Sequence, residues 1–201
     1  MKKKFGIIGA GGHAKVVIEI IEQMGDTVEM VSAQDPSVSE LLGYQVSHDL
    51  PLADLTVLIA VGNNSMRKKV ASEITNGFGI AIHPKANLSD RCSVGDGTVI
   101  MAGATINASS RIGSHCIINT NASIDHDCVM ADFVHVSPGA SLAGNVSVGE
   151  GTHIGIGSSI IQGVSIGKWA TIGAGTVILS DVPDHAVVVG VPGKTIKYNK
   201  E

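Results

Sequence analysis

From Ile82 to Ile178 a large aliphatic side chain recurs at every sixth residue, in seventeen consecutive places without a break. Two residues before each of them, from Ala86 to Thr176, stands a second column made only of Ala, Cys, Ser, Thr and Val. A helix repeats at 3.6 residues and a strand at 2, so neither alone sustains such a register. A short strand plus a turn, repeated as one unit, does. This is the hexapeptide signature of a parallel β-helix. The large aliphatic fills the interior, and the small residue lets the chain bend at the corner. With three units to a coil, residues 18 apart stack about 4.8 Å from each other, and the units make between five and six coils.

Composition agrees with such an interior. Hydrophobic residues make up 44% of the 201 but aromatics only 3%, so the core must be aliphatic, and 25 glycines imply many tight turns. The three cysteines, Cys92, Cys116 and Cys128, all fall in the small column and fit no zinc spacing. They read as buried structural thiols in a reducing, cytoplasmic setting. A net charge of -4 implies no broad nucleic-acid surface. No apolar run approaches the roughly 18 residues of a membrane span. Lys2, Lys3 and Lys4 precede Phe5–Ala10, which is too short for a signal-peptide core and reads as a first strand.

The first 78 residues carry other periods. Strands are expected over Lys4–Ile8, Thr27–Val31 and Thr56–Val61. Helices are expected over Gly12–Met24, through Val16, Val17, Ile20, Ile21 and Met24, and from Asn64 to about Thr75. Alternating strands and helices argue a small parallel sheet. Residues 36–52 resist assignment. The expected division is a small α/β domain over 1–78 and a β-helix with a C-terminal tail over 79–201.

Within the repeats, Asp125-His126-Asp127 stands apart from its aliphatic surroundings. A buried, unpaired histidine between two acids would be costly. At a corner it can swing outward, beside a groove. The residue one coil above is Gly144, whose missing side chain leaves room for a thin ligand over the imidazole. In the other part, Gly9-x-Gly11-x-x-Ala14 is compatible with a loose phosphate-binding turn before a helix, with Asp35 as an acid for a ribose. So short an α/β region suits a nucleotide diphosphate better than a dinucleotide. Asn64 reads equally as a helix cap or a pocket residue, and Arg67 as a solvated helix charge or a phosphate contact.

Five motifs in order, Gly9-Ala10-Gly11-Gly12-His13, Val61-Gly62-Asn63-Asn64 with Arg67, Asp125-His126-Asp127-Cys128, His135-Val136-Ser137 and Gly190-Val191-Pro192-Gly193-Lys194, resemble those of the left-handed β-helix sugar acetyltransferases. Within that group the chain looks like the bacillosamine and perosamine N-acetyltransferases, with the sialic acid O-acetyltransferases as near relatives. The resemblance implies an α/β, Rossmann-like subdomain followed by a left-handed parallel β-helix. It also implies a homotrimer binding acetyl-CoA between neighbouring helices, with no metal. The acceptor is then an amino sugar linked to UDP, GDP or dTDP. It implies His126 as general base with Asp127 as its orienting partner, and the Gly144 N–H near the thioester carbonyl. Asn119, His135, Ile156, Gly173 and Lys194 would lie along acetyl-CoA, and Gly9, Gly11, Gly12 and His13 along the acceptor. Family members often carry paired aspartates after the second strand; here Val31-Ser32-Ala33-Gln34-Asp35-Pro36 offers one acid.

Other readings keep the fold and change the chemistry. O-acetylation of a sugar hydroxyl would use the same residues. A non-catalytic trimeric scaffold would leave Asp125-His126-Asp127 without a purpose. A nicotinamide-dependent oxidoreductase rests on the glycine turn alone. His135 and His153, 18 apart, should stack and could bind a metal, but a carbonic-anhydrase-type centre needs a third histidine and His126 lies in another column.

Overall fold

The computed structural model describes residues 2–51 and 54–200; Met1 and Glu201, the outer ends of the two expected domains, and Leu52, in the unassigned stretch, lie outside them. The chain opens as α/β: β1 (Lys4–Ile8), α1 (Gly12–Gln23), β2 (Thr27–Ser32), β3 (Glu40–Leu41), β4 (Tyr44–Ser47), β5 (Thr56–Ile59) and α2 (Asn64–Glu73). The sheet order is β3-β4-β2-β1-β5, parallel except for the β3–β4 hairpin. That hairpin fills part of residues 36–52. It turns through Leu42 and Gly43, both at positive φ, and its strands are too short to print a period. Gly9, at φ 121°, ends β1 where a Cβ would fall 2.6 Å from the Ala60 carbonyl oxygen. Only glycine lets β1 and the end of β5 approach so closely.

From Ala81–Ile82 (β6) to Val177–Ile178 (β22) the described residues form seventeen two-residue strands, one per hexad, and each large aliphatic of the sequence pattern is the second residue of its strand. Every third strand pairs in parallel with register i to i+18, giving three sheets around one core. From Thr98 onward the small column is buried at the corners, Ala86 and Cys92 in the first coil only partly so, and its hydroxyls have partners in the next coil. Thr98 Oγ1 donates to the Gly113 carbonyl at 2.8 Å, Ser110 Oγ to that of Asp125 at 2.6 Å and Thr152 Oγ1 to that of Gly167 at 2.6 Å. Thr176 Oγ1, in the last coil, is buried without a partner. Fifteen residues on, the chain has left the repeat for a turn with a cis Val191–Pro192 bond. β23 (Ala186–Val189) before that turn and β24 (Lys194–Tyr198) after it pair antiparallel and close the end. Cys116 and Cys128 are buried free thiols, and burial pushes the Cys116 thiol up to about 12.

The two parts share a core. The outward residues of one β-helix face read Ala81, Val99, Ile117, His135, His153, Thr171 up the stack. The lower three pack with Val17, Ile18, Ile20 and Ile21 of α1, which therefore lies between the N-terminal sheet and the β-helix. Above α1 the column turns polar. Among the described residues no helix is long and apolar enough to cross a membrane.

Candidate active site

His126 and Asp127 sit at the corner between β13 (Ser123–Ile124) and β14 (Val129–Met130). Asp127 adopts φ 59°, a left-handed turn conformation that Asp tolerates better than most residues. This brings its Oδ2 to 2.8 Å from His126 Nδ1, with both side chains 59% exposed. Asp125 Oδ1 accepts from the His126 N–H and from Asn107 Nδ2, both at 2.8 Å. The hydrogen bond to Asp127 and then the charge of Asp125 raise the imidazole pKa, against a slight burial. With Asp127 accepting at Nδ1, the neutral ring carries its proton there and Nε2 is the basic nitrogen.

Gly144 is where the expectation needs correcting. A Cβ there would lie 2.5 Å from His126 Cε1 and 2.6 Å from Nε2. The missing side chain therefore makes room for the imidazole itself rather than for a ligand above it. Gly144 also has a second asset. Ala143 N donates to the Ile160 carbonyl at 3.1 Å and Asn145 N to that of His126 at 2.9 Å. The Gly144 N–H between them has no partner among the described residues. A groove of about 340 Å³ runs along this sheet past Asn107, Asp125, Ser141, Ala143 and Ser159.

A second constellation lies elsewhere on the prism. Asn119 Oδ1 accepts from Thr120 N at 2.8 Å, which turns its Nδ2 toward His135 Nε2 at 3.1 Å. His135 stacks on His153, ring centroids 4.8 Å apart and 9° from parallel, and His153 Nε2 meets Ser137 Oγ at 2.8 Å. Burial, then His153, Arg67 and His13, lower the His135 pKa to about 3. Burial and then Arg67 lower that of His13 to about 4, and the same two causes lower that of His153. All three are thus shifted below the ordinary imidazole value, in the opposite direction to His126. His13 Nε2 and His135 Nδ1 are buried without a hydrogen bond of good geometry, although the Gly62 backbone faces His135. Among the described residues no third ligand completes a metal centre around the stack.

Arg67 is neither a solvated charge nor free to hold a phosphate. It is 1% exposed, and every N–H of its fork is engaged: Nε with the His115 carbonyl at 2.8 Å, one terminal nitrogen with those of Val61 and Gly62, the other with Asn64 Oδ1 and the Phe133 carbonyl. Asn64 is likewise spent, its Nδ2 donating to the carbonyls of Gly151 and Thr152. The helix cap is Asn63, which accepts from Met66 N at 2.9 Å. These residues latch α2 to the β-helix. Spacing along the chain could not show this, because the carbonyls involved come from coils 48 and 66 residues away.

Of the other expected residues, Gly11 and Gly12 face open space at the start of α1. Asp35 closes a turn, accepting from Ser37 N at 2.9 Å and Ser37 Oγ at 2.6 Å, which lowers its pKa. Asn119, Ile156 and Gly173 share the corner that leads out of the histidine face, and Ile156 is 56% exposed. Lys194 is exposed in β24 opposite Val189. Trp169 packs against Gly151, with Lys68 Nζ 5.5 Å from its ring. Trp169 also lines a cavity of about 680 Å³ bounded by residues 62–65 at the entry to α2 and by His153 and Thr171. Asn107 escaped the sequence reading, although its place 18 residues before Asp125 announces the contact.

Residues 4–74 match the PglD N-terminal domain family, and residues 145–180 the bacterial transferase hexapeptide (six repeats) family. A perosamine N-acetyltransferase from Caulobacter crescentus, solved as a histidine-to-asparagine mutant with CoA and GDP-perosamine, superposes with a TM-score of 0.92 at 40% identity. The alignment covers 96% of this chain and 97% of that one. The acetyltransferase domain of PglB from Neisseria gonorrhoeae FA1090, in complex with acetyl coenzyme A, gives 0.89 at 36% identity, covering 98% and 100%. The UDP-N-acetylbacillosamine N-acetyltransferase of Bacillus subtilis (strain 168) is 42% identical over 113 residues, 50% of this chain and 52% of its own length. The match thus spans about half of that curated relative. An α/β head latched to a hexapeptide β-helix with a corner histidine is the architecture of a hexapeptide acetyltransferase. More narrowly, the chain belongs to the family of the perosamine and bacillosamine N-acetyltransferases.

Proposed function

We propose that this chain transfers an acetyl group from acetyl-CoA to the amino group of a nucleotide-linked amino sugar, by direct attack. The observation that carries the reading is His126, paired through Nδ1 with Asp127 and free at Nε2, beside a Gly144 N–H with no other partner. The acceptor ammonium loses one proton to water, and the neutral amine nitrogen attacks the thioester carbon. His126 Nε2 takes the second proton as the C–N bond forms. The Gly144 N–H donates to the oxyanion. The C–S bond then breaks, and the imidazolium returns its proton to the leaving CoA thiolate. Asp127 holds the tautomer throughout and supports the imidazolium. No acyl-enzyme is required. The Caulobacter relative, described with both CoA and an amino-sugar nucleotide, supports the substrate class.

His126 and Gly144 occupy one corner of the prism, while Asn119, Ile156 and Gly173 occupy another and His13 and His135 lie on the face covered by the α/β head. A homotrimer would bring the first corner of one copy against the second corner of its neighbour, closing three sites per ring. In that assembly Gly9, Gly11, Gly12, His13 and Asp35 of the 1–78 domain hold the acceptor. Asn119, His135, Ile156, Gly173 and Lys194 of the 79–201 domain hold acetyl-CoA. The enzyme would work in the cytoplasm, where acetyl-CoA is made.

The test is release of CoA thiol from acetyl-CoA with UDP-, GDP- and dTDP-linked 4-amino sugars, comparing wild type with His126→Ala. Turnover on one acceptor, reduced about a hundredfold or more in the variant, is expected for loss of a general base. Turnover only on hydroxyl acceptors would replace N- by O-acetylation. A stable, active monomer in sedimentation would remove the shared site.

A further inference from the structure

Arg67 is a fully buried cation with no acid beside it: among the described residues no carboxylate lies within ion-pairing distance. A buried charge without a counterion is costly unless its donors are all satisfied. Here they are satisfied by four main-chain carbonyls and one side-chain amide. Two of the carbonyls, Val61 and Gly62, belong to the segment that bounds the 680 Å³ cavity, and two, His115 and Phe133, belong to β-helix corners. A methionine of similar length would fill the space with no donor. The planar fork reaches carbonyls on both sides of the seam at once, which an ammonium cannot do with the same geometry.

We propose that Arg67 is a positioning residue of the acceptor site, setting the 61–64 segment over the His135–His153 stack, where the acceptor would meet the His135 end of acetyl-CoA, and presenting an unneutralised charge to the imidazoles there. The proposal rests on the acetyl-transfer reading for its consequence, though not for its geometry. The groups facing this charge are His13 from α1, His135 and His153 from the stack, and His115 and Cys116 from the corner beneath; the carboxylates of Asp96 and Asp132 act on His115 with the opposite sign, and Asp132 also acts on Cys116. Burial is the first cause of the low pKa at every one of the histidines, and Arg67 adds to it. A neutral stack does not repel an acceptor that arrives as an ammonium, and a fixed loop height sets where the sugar rests. Arg67 acts through these groups and touches no reacting atom.

Two variants separate the roles. Arg67→Lys keeps a charge and loses the fork; Arg67→Met loses both. Ring NMR of the free protein reads histidine titration without any substrate, and initial rates with a saturating acetyl-CoA concentration read kcat and the acceptor KM. In Arg67→Lys the histidines should titrate as in wild type while the acceptor KM rises roughly tenfold and kcat stays within about threefold. In Arg67→Met the His13, His135 and His153 midpoints should also rise by about one pH unit. If both variants keep the wild-type acceptor KM, or if Arg67→Met leaves the titrations unmoved, Arg67 is only a staple and the proposal is wrong. If Arg67→Met does not fold, the KM and kcat split in Arg67→Lys decides. A chain inactive on every acceptor would defeat the acetyl-transfer reading while the NMR shift still judged the electrostatic half.

Discussion

Replacing Gly144 with alanine isolates the placement of the base from everything else the chain does. The new Cβ would stand 2.5 Å from His126 Cε1, where ordinary contact begins near 3.4 Å. The ring must therefore retreat by about 1 Å or swing about its side-chain torsions. Either movement strains its 2.8 Å hydrogen bond to Asp127. Misplacing a catalytic group by about 1 Å is enough to cost about a hundredfold. Stability should hardly change. The backbone of Gly144 is not at positive φ, the colliding imidazole is 59% exposed and free to move, and alanine narrows the unfolded ensemble by about 0.4–1 kcal/mol. The Gly144 N–H also survives, so the proposed oxyanion donor is kept. Thiol release should fall roughly a hundredfold in kcat with Tm within a few degrees of wild type. Activity within about threefold of wild type in a stable Gly144→Ala protein would mean that the imidazole need not stand over this glycine, and the reasoning would fail.

Asp127→Asn keeps a residue that tolerates the left-handed turn but removes the largest cause of the raised His126 pKa. The free base is the active form, so a lower pKa should move the acid limb of kcat/KM to lower pH while the plateau drops; an unmoved limb in a pH–rate series would count against the pair. His135→Gln should lower kcat/KM without moving that limb, because His135, held at about pKa 3, is already neutral there; a limb that follows His135 would transfer the role of base to it. Thr98→Val should destabilise by about 1–3 kcal/mol in denaturant unfolding, since it strands the buried Cys116 N–H and the half-buried Gly113 carbonyl that Thr98 Oγ1 joins; a change below about 0.5 kcal/mol would show these corner bonds to be idle.

The hexad placed all seventeen strands because it records inward positions, and those are fixed by one requirement, a narrow aliphatic prism with small corners. Outward positions answer to whatever covers them, and the chain carries that information less openly. The apolar triplet Ala81, Val99, Ile117 was legible in principle, since its places 18 apart mark one face as covered. Arg67 was not, because a helix charge at that spacing looks solvated until a second part of the chain closes over it. Asp125, His126 and Asp127 were readable as an outlying triplet, yet the fit of the ring on Gly144 needed coordinates. The β3–β4 hairpin was lost because strands of two and four residues around a two-residue turn carry too few positions to establish alternation.

Histidine is used here in two opposed ways, and the β-helix explains how one chain can do both. At an open corner His126 keeps contact with water and gains two acids, so its basicity rises. On the face beneath the α/β head, His13, His135 and His153 are stripped of water beside a cation, so theirs falls. Environments that push like groups apart assign their roles: the corner histidine can accept a proton near neutral pH, and the covered ones can shape a pocket without competing for it. A single prism cannot place its own corner against its own covered face. The separation that tunes these histidines is thus the same separation that the proposed homotrimer would bridge with a second copy of the chain.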